Sequence, residues 1–173
     1  MTTTVLEQQR IEHERDYDTL TGLYRRRAFD RACDALFQQP EKLGCAALLM
    51  MDLDNLKQIN DTYGHQAGDM ALRTCVDVVR ACIRKSDVLI RYGGDEFLLV
   101  LPGIERAAFL AKLDRIREQL HAASVPGYSR LQLSASIGGV ITQPGETVEQ
   151  ACMVHGVDPD ELCAELNDYF AHL

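Results

Sequence analysis

Apolar residues along the chain recur with two different periods, and the change between them marks the elements. An unbroken apolar run over 44–51 empties into Asp52, Leu53 and Asp54, the pattern of a buried strand with carboxylates at its C-terminal end. Apolar runs also flank Arg91-Tyr92-Gly93-Gly94-Asp95-Glu96, which predicts a β-hairpin over 90–100 with acid at its tip, the paired glycines being free to take the positive φ of a tight turn. Residues 131–141 alternate well enough for a further strand. Helical spacing appears at Phe29, Cys33 and Leu36/Phe37 (a helix over 25–39, stopped by Pro40), and at Met70, Leu72, Val76, Val79 and Ile83. It returns at Phe109, Leu113, Ile116 and Leu120 (105–122), and in a last amphipathic helix that starts at Asp158-Pro159 and reaches Phe170. A short helix over 55–61 and a polar loop over 60–69, punctuated by Gly64 and Gly68, fill the gap after the first strand.

At the front, residues 5–16 are good helix formers with only Val5, Leu6 and Ile11 as large apolar residues. That predicts a connecting or dimer-contacting helix rather than a core element. A turn at Asp18-Thr19-Leu20-Thr21-Gly22-Leu23 follows. The expected order is α, α, β, α, α, β-hairpin, α, β, α: one α/β (α+β) domain over 18–173 behind an extension over 1–17, with a mixed sheet covered by helices.

Composition narrows the partners. A length of 173 residues with 46% hydrophobic and 25% charged residues suits one domain with a full core. No apolar run approaches the roughly 20 residues of a membrane span, and Met1-Thr2-Thr3-Thr4 lacks the marks of a signal peptide, so the cytoplasm is expected. A net charge of −8 argues against general affinity for duplex nucleic acid; it leaves room for a nucleotide held through metal ions. The six cysteines (Cys33, Cys45, Cys75, Cys82, Cys152, Cys163) include no Cys-x-x-Cys pair and read as free thiols rather than a zinc site or disulfides. No Walker-type phosphate loop is present.

The candidate chemistry lies in the acids. Asp95 and Glu96 repel one another unless a cation or a shared proton lies between them, although Gly-Gly-Asp is also ordinary turn chemistry. Asp52, on an otherwise apolar strand, needs a partner to offset its desolvation. Asp54 has a simpler reading as the cap of the following helix. Two acid-bearing strand ends suit a divalent-metal site for nucleotidyl transfer, with phosphates held by Lys57 and by N–H groups of the next helix. Asn60 and Asp69 have the mixed donors and acceptors that match a purine edge; each taken singly is equally a loop or cap residue, and His65 a loop hydrogen-bonder.

Taken together these residues resemble the GGDEF-domain diguanylate cyclases, which condense two GTP into cyclic di-GMP and release pyrophosphate. The resemblance runs through Asp18 to Leu23, Asp52-Leu53-Asp54-Asn55-Leu56-Lys57, Asn60-Asp61, Gly64-His65-Gln66-Ala67-Gly68-Asp69, Arg91 to Phe97, and Ser136-Ile137-Gly138. It implies a mainly antiparallel central sheet like that of polymerase palms and nucleotide cyclases. It implies that Asp52, the Leu53 carbonyl, Asp95 and Glu96 hold Mg²⁺ (or Mn²⁺), that Asp95 helps to deprotonate the attacking 3′-hydroxyl, and that Lys57 neutralises phosphate charge. Asn60 and Asp69 would read guanine, with Leu56, His65, Gly94 and His172 completing the substrate-binding set. A homodimer is implied, because each domain holds one GTP. Arg84 and Asp87, five residues before Gly93, resemble the family's Arg-x-x-Asp inhibitory site for product; the plainer reading is a helix-terminal Arg followed by an Asp at the start of a strand.

Two departures modify that expectation. His172 stands where the family has a lysine, and no Gly-Arg-Asn tail follows it; histidine is mostly neutral at pH 7, so a weaker grip on triphosphate is expected. Leu56 replaces the usual Phe. The alternative these departures favour is a weak or inactive GTP or cyclic di-GMP binding module that regulates a partner. A purely structural dimerisation domain would leave the acids unpaired.

Overall fold

A computed structural model describes residues 16–26 and 45–142. In it a five-stranded sheet runs in the order β1-β3-β4-β2-β5, with β1 Tyr24–Arg25, β2 Ala46–Leu53, β3 Val88–Arg91, β4 Glu96–Pro102 and β5 Ala135–Thr142. Helices α1 (Leu56–Tyr63) and α2 (His65–Cys82) follow β2, and α3 (Arg106–Ala122) joins β4 to β5. The β1–β3 pair is parallel and the other pairs are antiparallel, so the sheet is mixed and mainly antiparallel.

The period of two along β2 separates core from site. Ala47, Leu49, Met51 and Leu53 enter the main core with Phe97, Leu99 and Leu101 of β4, Cys75, Val76 and Val79 of α2, and Phe109, Ile116 and Leu120 of α3. Met50 faces the other way, against Ile90 and Leu98, and Asp52 continues its row. Phe97, 0% exposed at the centre of the core, would cost about 3–5 kcal/mol on truncation to Ala.

The structure differs from the sequence-based expectations in several places. Because β2 is antiparallel to both its neighbours, its C-terminal end is not the crevice of a parallel sheet; the acids meet because that end lies beside the tip of the β3–β4 hairpin. Residues 60–69 are helical except for Gly64, whose φ of 87° and ψ of 163° break α1 from α2, while Gly68 lies inside α2. Arg25 ends β1 and pairs with Arg91 instead of opening a helix. Leu131 and Leu133 are buried core residues ahead of β5: β2 ends opposite Ala135, and beyond it, among the described residues, only the Asp54 N–H reaches across, to the Ser134 carbonyl at 3.0 Å.

Cys45, Cys75 and Cys82 are free thiols, and burial pushes Cys75 up to about 12, which makes it inert. Among the described residues no helix is long and apolar enough to cross a membrane. The helices expected over 5–16 and 158–170, most of the one over 25–39, and Cys33, Cys152 and Cys163 lie outside the described residues.

Candidate active site

The loop between β3 and β4 is wider than the tight turn that the Gly-Gly pair suggested. Neither Gly93 nor Gly94 has a left-handed backbone. The loop is closed instead by the Tyr92 and Gly93 N–H groups, which both donate to the Glu96 carbonyl, at 2.9 and 3.2 Å. Gly93 is required by close approach: a Cβ there would run into the Glu96 carboxylate, whereas one at Gly94 would meet nothing. The exposed face of Gly94 is therefore open to a ligand.

Arg91 holds this loop from behind. Its Nε and Nη2 donate to the Gly94 carbonyl at 3.2 and 2.6 Å, and its Nη1 donates to Asp18 Oδ2 at 2.9 Å. Asp18 also accepts the Thr21 N–H at 2.8 Å and the Thr21 hydroxyl at 2.7 Å. Burial alone would raise the Asp18 pKa; the Thr21 bonds and Arg91 outweigh it and hold the carboxyl below its ordinary value. Sequence reasoning gave Asp18 the role of a turn residue, which its bonds from Thr21 bear out, and did not link it to Arg91. Each lies in a short polar motif, but they are 73 residues apart, and only the parallel docking of β1 beside β3 brings them together.

The acids gather on the other side of the loop. Asp52 is directly opposite Glu96 on β4 and Ser136 on β5, which puts its side chain on the same face as theirs. The Asp95 carbonyl accepts the N–H of Leu53, the last residue of β2, at 3.0 Å, so the loop is pinned to the end of β2. The Asp52 carboxyl is pushed up by burial first and then by the charges of Asp95 and Asp54. Every charged group that shifts it is an acid. Asp54 does not cap α1: Asn55, in the left-handed region, occupies the cap position without a side-chain bond. Instead Asp54 Oδ1 accepts the Ser136 N–H and hydroxyl at 3.0 and 2.7 Å and clamps β5 to the end of β2.

Hard oxygen donors and mutual repulsion fit a small divalent cation. Among the described residues no three His, Cys, Asp or Glu side chains form a metal cage.

The expected nucleotide-binding residues begin where β2 ends. Leu56 is half-buried and Lys57 exposed in the first turn of α1. Asn60, one turn on, lies so close to Gly68 of α2 that a Cβ at Gly68 would overlap the Asn60 amide oxygen; Gly68 thus brings Asn60 up against the helix that carries Asp69. His65 and Asp69 are exposed in the first turns of α2. Arg84 and Asp87 are not part of this assembly: β3 separates them from the loop, at its opposite end. His172 lies outside the described residues.

The family described as "Diguanylate cyclase, GGDEF domain" matches residues 15–156. The chain belongs to the GGDEF family. Among curated GGDEF relatives, it is 33% identical to the diguanylate cyclase DgcM of Escherichia coli over 83% of this chain and 35% of that protein. It is 32% identical to DgcS of Shewanella oneidensis over 83% of this chain and 47% of that one, so it spans about a third to a half of these relatives' lengths. Two solved structures share its architecture. The coiled coil and GGDEF domain of DgcB from Caulobacter crescentus, in complex with c-di-GMP, superposes with a TM-score of 0.73 at 25% identity, over 94% of this chain and 91% of that one. The diguanylate cyclase SiaD of Pseudomonas aeruginosa, in complex with its activator SiaC, gives 0.70 at 29%, over 96% and 65%.

Proposed function

We propose that this GGDEF domain, taken as residues 18–173, condenses two GTP into cyclic di-GMP as a homodimer in the cytoplasm, where GTP is available. The observation that carries this reading is the crowding of Asp52 by Asp95 and Asp54 at a loop pinned to the end of β2. Crowded acids cost stability, and a cation-bearing substrate repays that cost.

Each 3′-hydroxyl attacks the α-phosphorus of the GTP on the facing domain. A new O–P bond forms, the α–β bridging bond breaks, and pyrophosphate leaves; two such events close the ring. Asp95 takes up the hydroxyl proton. Lys57, exposed at the start of α1, offsets charge on the triphosphate, while Asn60 and Asp69, together with His65 and Leu56, hold guanine. The open face of Gly94 lets the nucleotide lie against the loop, and His172 contributes a weaker phosphate contact than a lysine would. Asp52, the Leu53 carbonyl, Asp95 and Glu96 would hold Mg²⁺ or Mn²⁺, which when bound neutralises phosphate and acidifies the hydroxyl. Arg84 and Asp87 provide product inhibition.

The test is incubation with GTP and Mg²⁺, following pyrophosphate and cyclic di-GMP, repeated with Glu96→Ala. Turnover that rises with dimer concentration and is lost in the variant is expected; turnover that the variant leaves intact overturns the assignment. The departure at the C-terminal end, where His172 stands in place of the family's lysine, favours one second reading, a nucleotide-binding module that regulates a partner. It predicts saturable cyclic di-GMP binding without pyrophosphate release at any protein concentration.

A further inference from the structure

The turn that joins β2 to α1 is gripped by the start of β5. The Asp54 N–H donates to the Ser134 carbonyl at 3.0 Å, and Asp54 Oδ1 accepts the N–H and the hydroxyl of Ser136 at 3.0 and 2.7 Å. Main chain and side chain of Asp54 are thus tied to the same short stretch. The planar peptide between Leu53 and Asp54 is fixed with them. Its N–H faces β5, so its carbonyl faces the other side, where the Leu53 N–H meets the Asp95 carbonyl at 3.0 Å. The next residue redirects the chain. Asn55 has φ 60° and ψ 26°, and among the described residues it alone, other than glycine, has a positive φ, a region that asparagine tolerates better than most side chains do. It leads into α1 without a side-chain cap, and Lys57 stands exposed in the first turn.

A helix entered through one left-handed residue, with no cap to fix its start, takes its direction from the residue before. That residue is Asp54, and Ser136 gives its side chain two donors. We propose that Ser136 is a positioning residue for the triphosphate of GTP: through Asp54 it sets the β2–α1 turn, and so aims Lys57 and the Leu53 carbonyl at the phosphates and their cation. The proposal rests on the GTP reading above. What it requires at residue 54 is an acceptor and not a charge. The amide oxygen of asparagine can accept the same two bonds, whereas the methyl group of alanine accepts neither.

The experiment compares wild type with Ser136→Ala, Ser136→Thr, Asp54→Asn and Asp54→Ala. It measures kcat and KM for GTP with Mg²⁺, inhibition by inorganic pyrophosphate, and hydrogen exchange at the Asp54 amide in metal-free protein without nucleotide. Ser136→Ala should raise the KM for GTP and the half-inhibiting pyrophosphate concentration about fivefold, leave kcat within about twofold, and speed exchange at Asp54 about tenfold. Ser136→Thr keeps the hydroxyl and should restore most of each value. Asp54→Ala should raise KM at least as far, and adding Ser136→Ala to it should do little further harm, because both act through one contact. Asp54→Asn should keep KM within about twofold of wild type. A Ser136→Ala protein that melts lower but keeps the wild-type KM has lost only a structural bond, and overturns the proposal. Should that variant fail to fold, the two Asp54 variants decide: equal KM values in Asp54→Asn and Asp54→Ala would make the charge the active feature and overturn it as well. A wild type that neither turns over GTP nor responds to pyrophosphate removes the GTP reading itself, a result distinct from turnover that survives loss of the Ser136 hydroxyl.

Discussion

Asp18 receives two bonds from Thr21 and one from Arg91, whereas Asp52, on the other side of the same loop, is shifted by burial and by two further acids. Asp54 belongs with Asp18, matched by both donors of Ser136. An acid that serves architecture is given donors by the chain. On the function proposed above, an acid that serves a ligand is left among its own kind, and the domain gives up stability to keep it so. The contrast separates structural from functional carboxylates more sharply than depth does, since both Asp18 and Asp52 are half-buried.

The strongest way to break the contrast is Asp52→Asn. Turnover should fall about 100- to 1,000-fold, the loss of roughly 3–4 kcal/mol of transition-state stabilisation. The melting temperature in metal-free buffer should nevertheless rise, because a crowding charge has gone, and Mg²⁺ should shrink the gap by stabilising only the wild type. A metal-free variant that melts below wild type would place Asp52 with the structural acids.

Arg91→Met tests the other side. It removes the donor to Asp18 and both bonds to the Gly94 carbonyl, and should cost about 2 kcal/mol, seen as a fall of about 4–8 °C in melting temperature. The loop it releases carries Asp95, so turnover should drop about tenfold to a hundredfold as well. An unchanged rate in a destabilised protein would show that the loop keeps its shape without Arg91.

Why one side of this contrast could be read from the sequence and the other could not follows from distance along the chain. Asp52 and the Asp95-Glu96 pair announce themselves locally, as charges interrupting apolar runs, while the face Asp52 takes is hidden by the unbroken run and emerges only from its pairing opposite Glu96 and Ser136. The Asp18–Arg91 pair depends on a two-residue parallel strand too short to leave a pattern. The stretch 60–69 read as loop because polar residues and two glycines mask helical spacing; only packing shows that Gly68 is small to admit Asn60 and not to break a helix.

A milder test uses the two glycines of the loop. Gly93→Ala forces the end of the Glu96 side chain aside, a shift a flexible side chain makes cheaply, so the melting temperature should move by no more than about 2 °C while kcat falls about tenfold. Gly94→Ala meets nothing in the protein. It should leave stability and kcat alone and raise the KM for GTP; an equal effect of the two variants would mean that Glu96 does not depend on the space above Gly93.

The smallest effect, and the one that addresses the contrast directly, is in the pH dependence of stability. Because the Asp18 pKa is lowered by folding, its contribution is complete above the ordinary carboxylate value of about 4 and is lost as pH falls through the lower folded value. Asp52 has the opposite sign: its pKa is raised, so its ionised form penalises the fold at neutral pH, and the penalty fades as pH falls through the raised value toward about 4. In chelator-treated protein, the advantage of Asp52→Asn over wild type should therefore disappear above about pH 4, and the disadvantage of Asp18→Asn only below it. Denaturant midpoints collected between about pH 7 and 3 would show the two windows in that order. Mg²⁺ should erase the upper window and leave the lower one untouched, because only one of these two acids lacks a partner supplied by the chain.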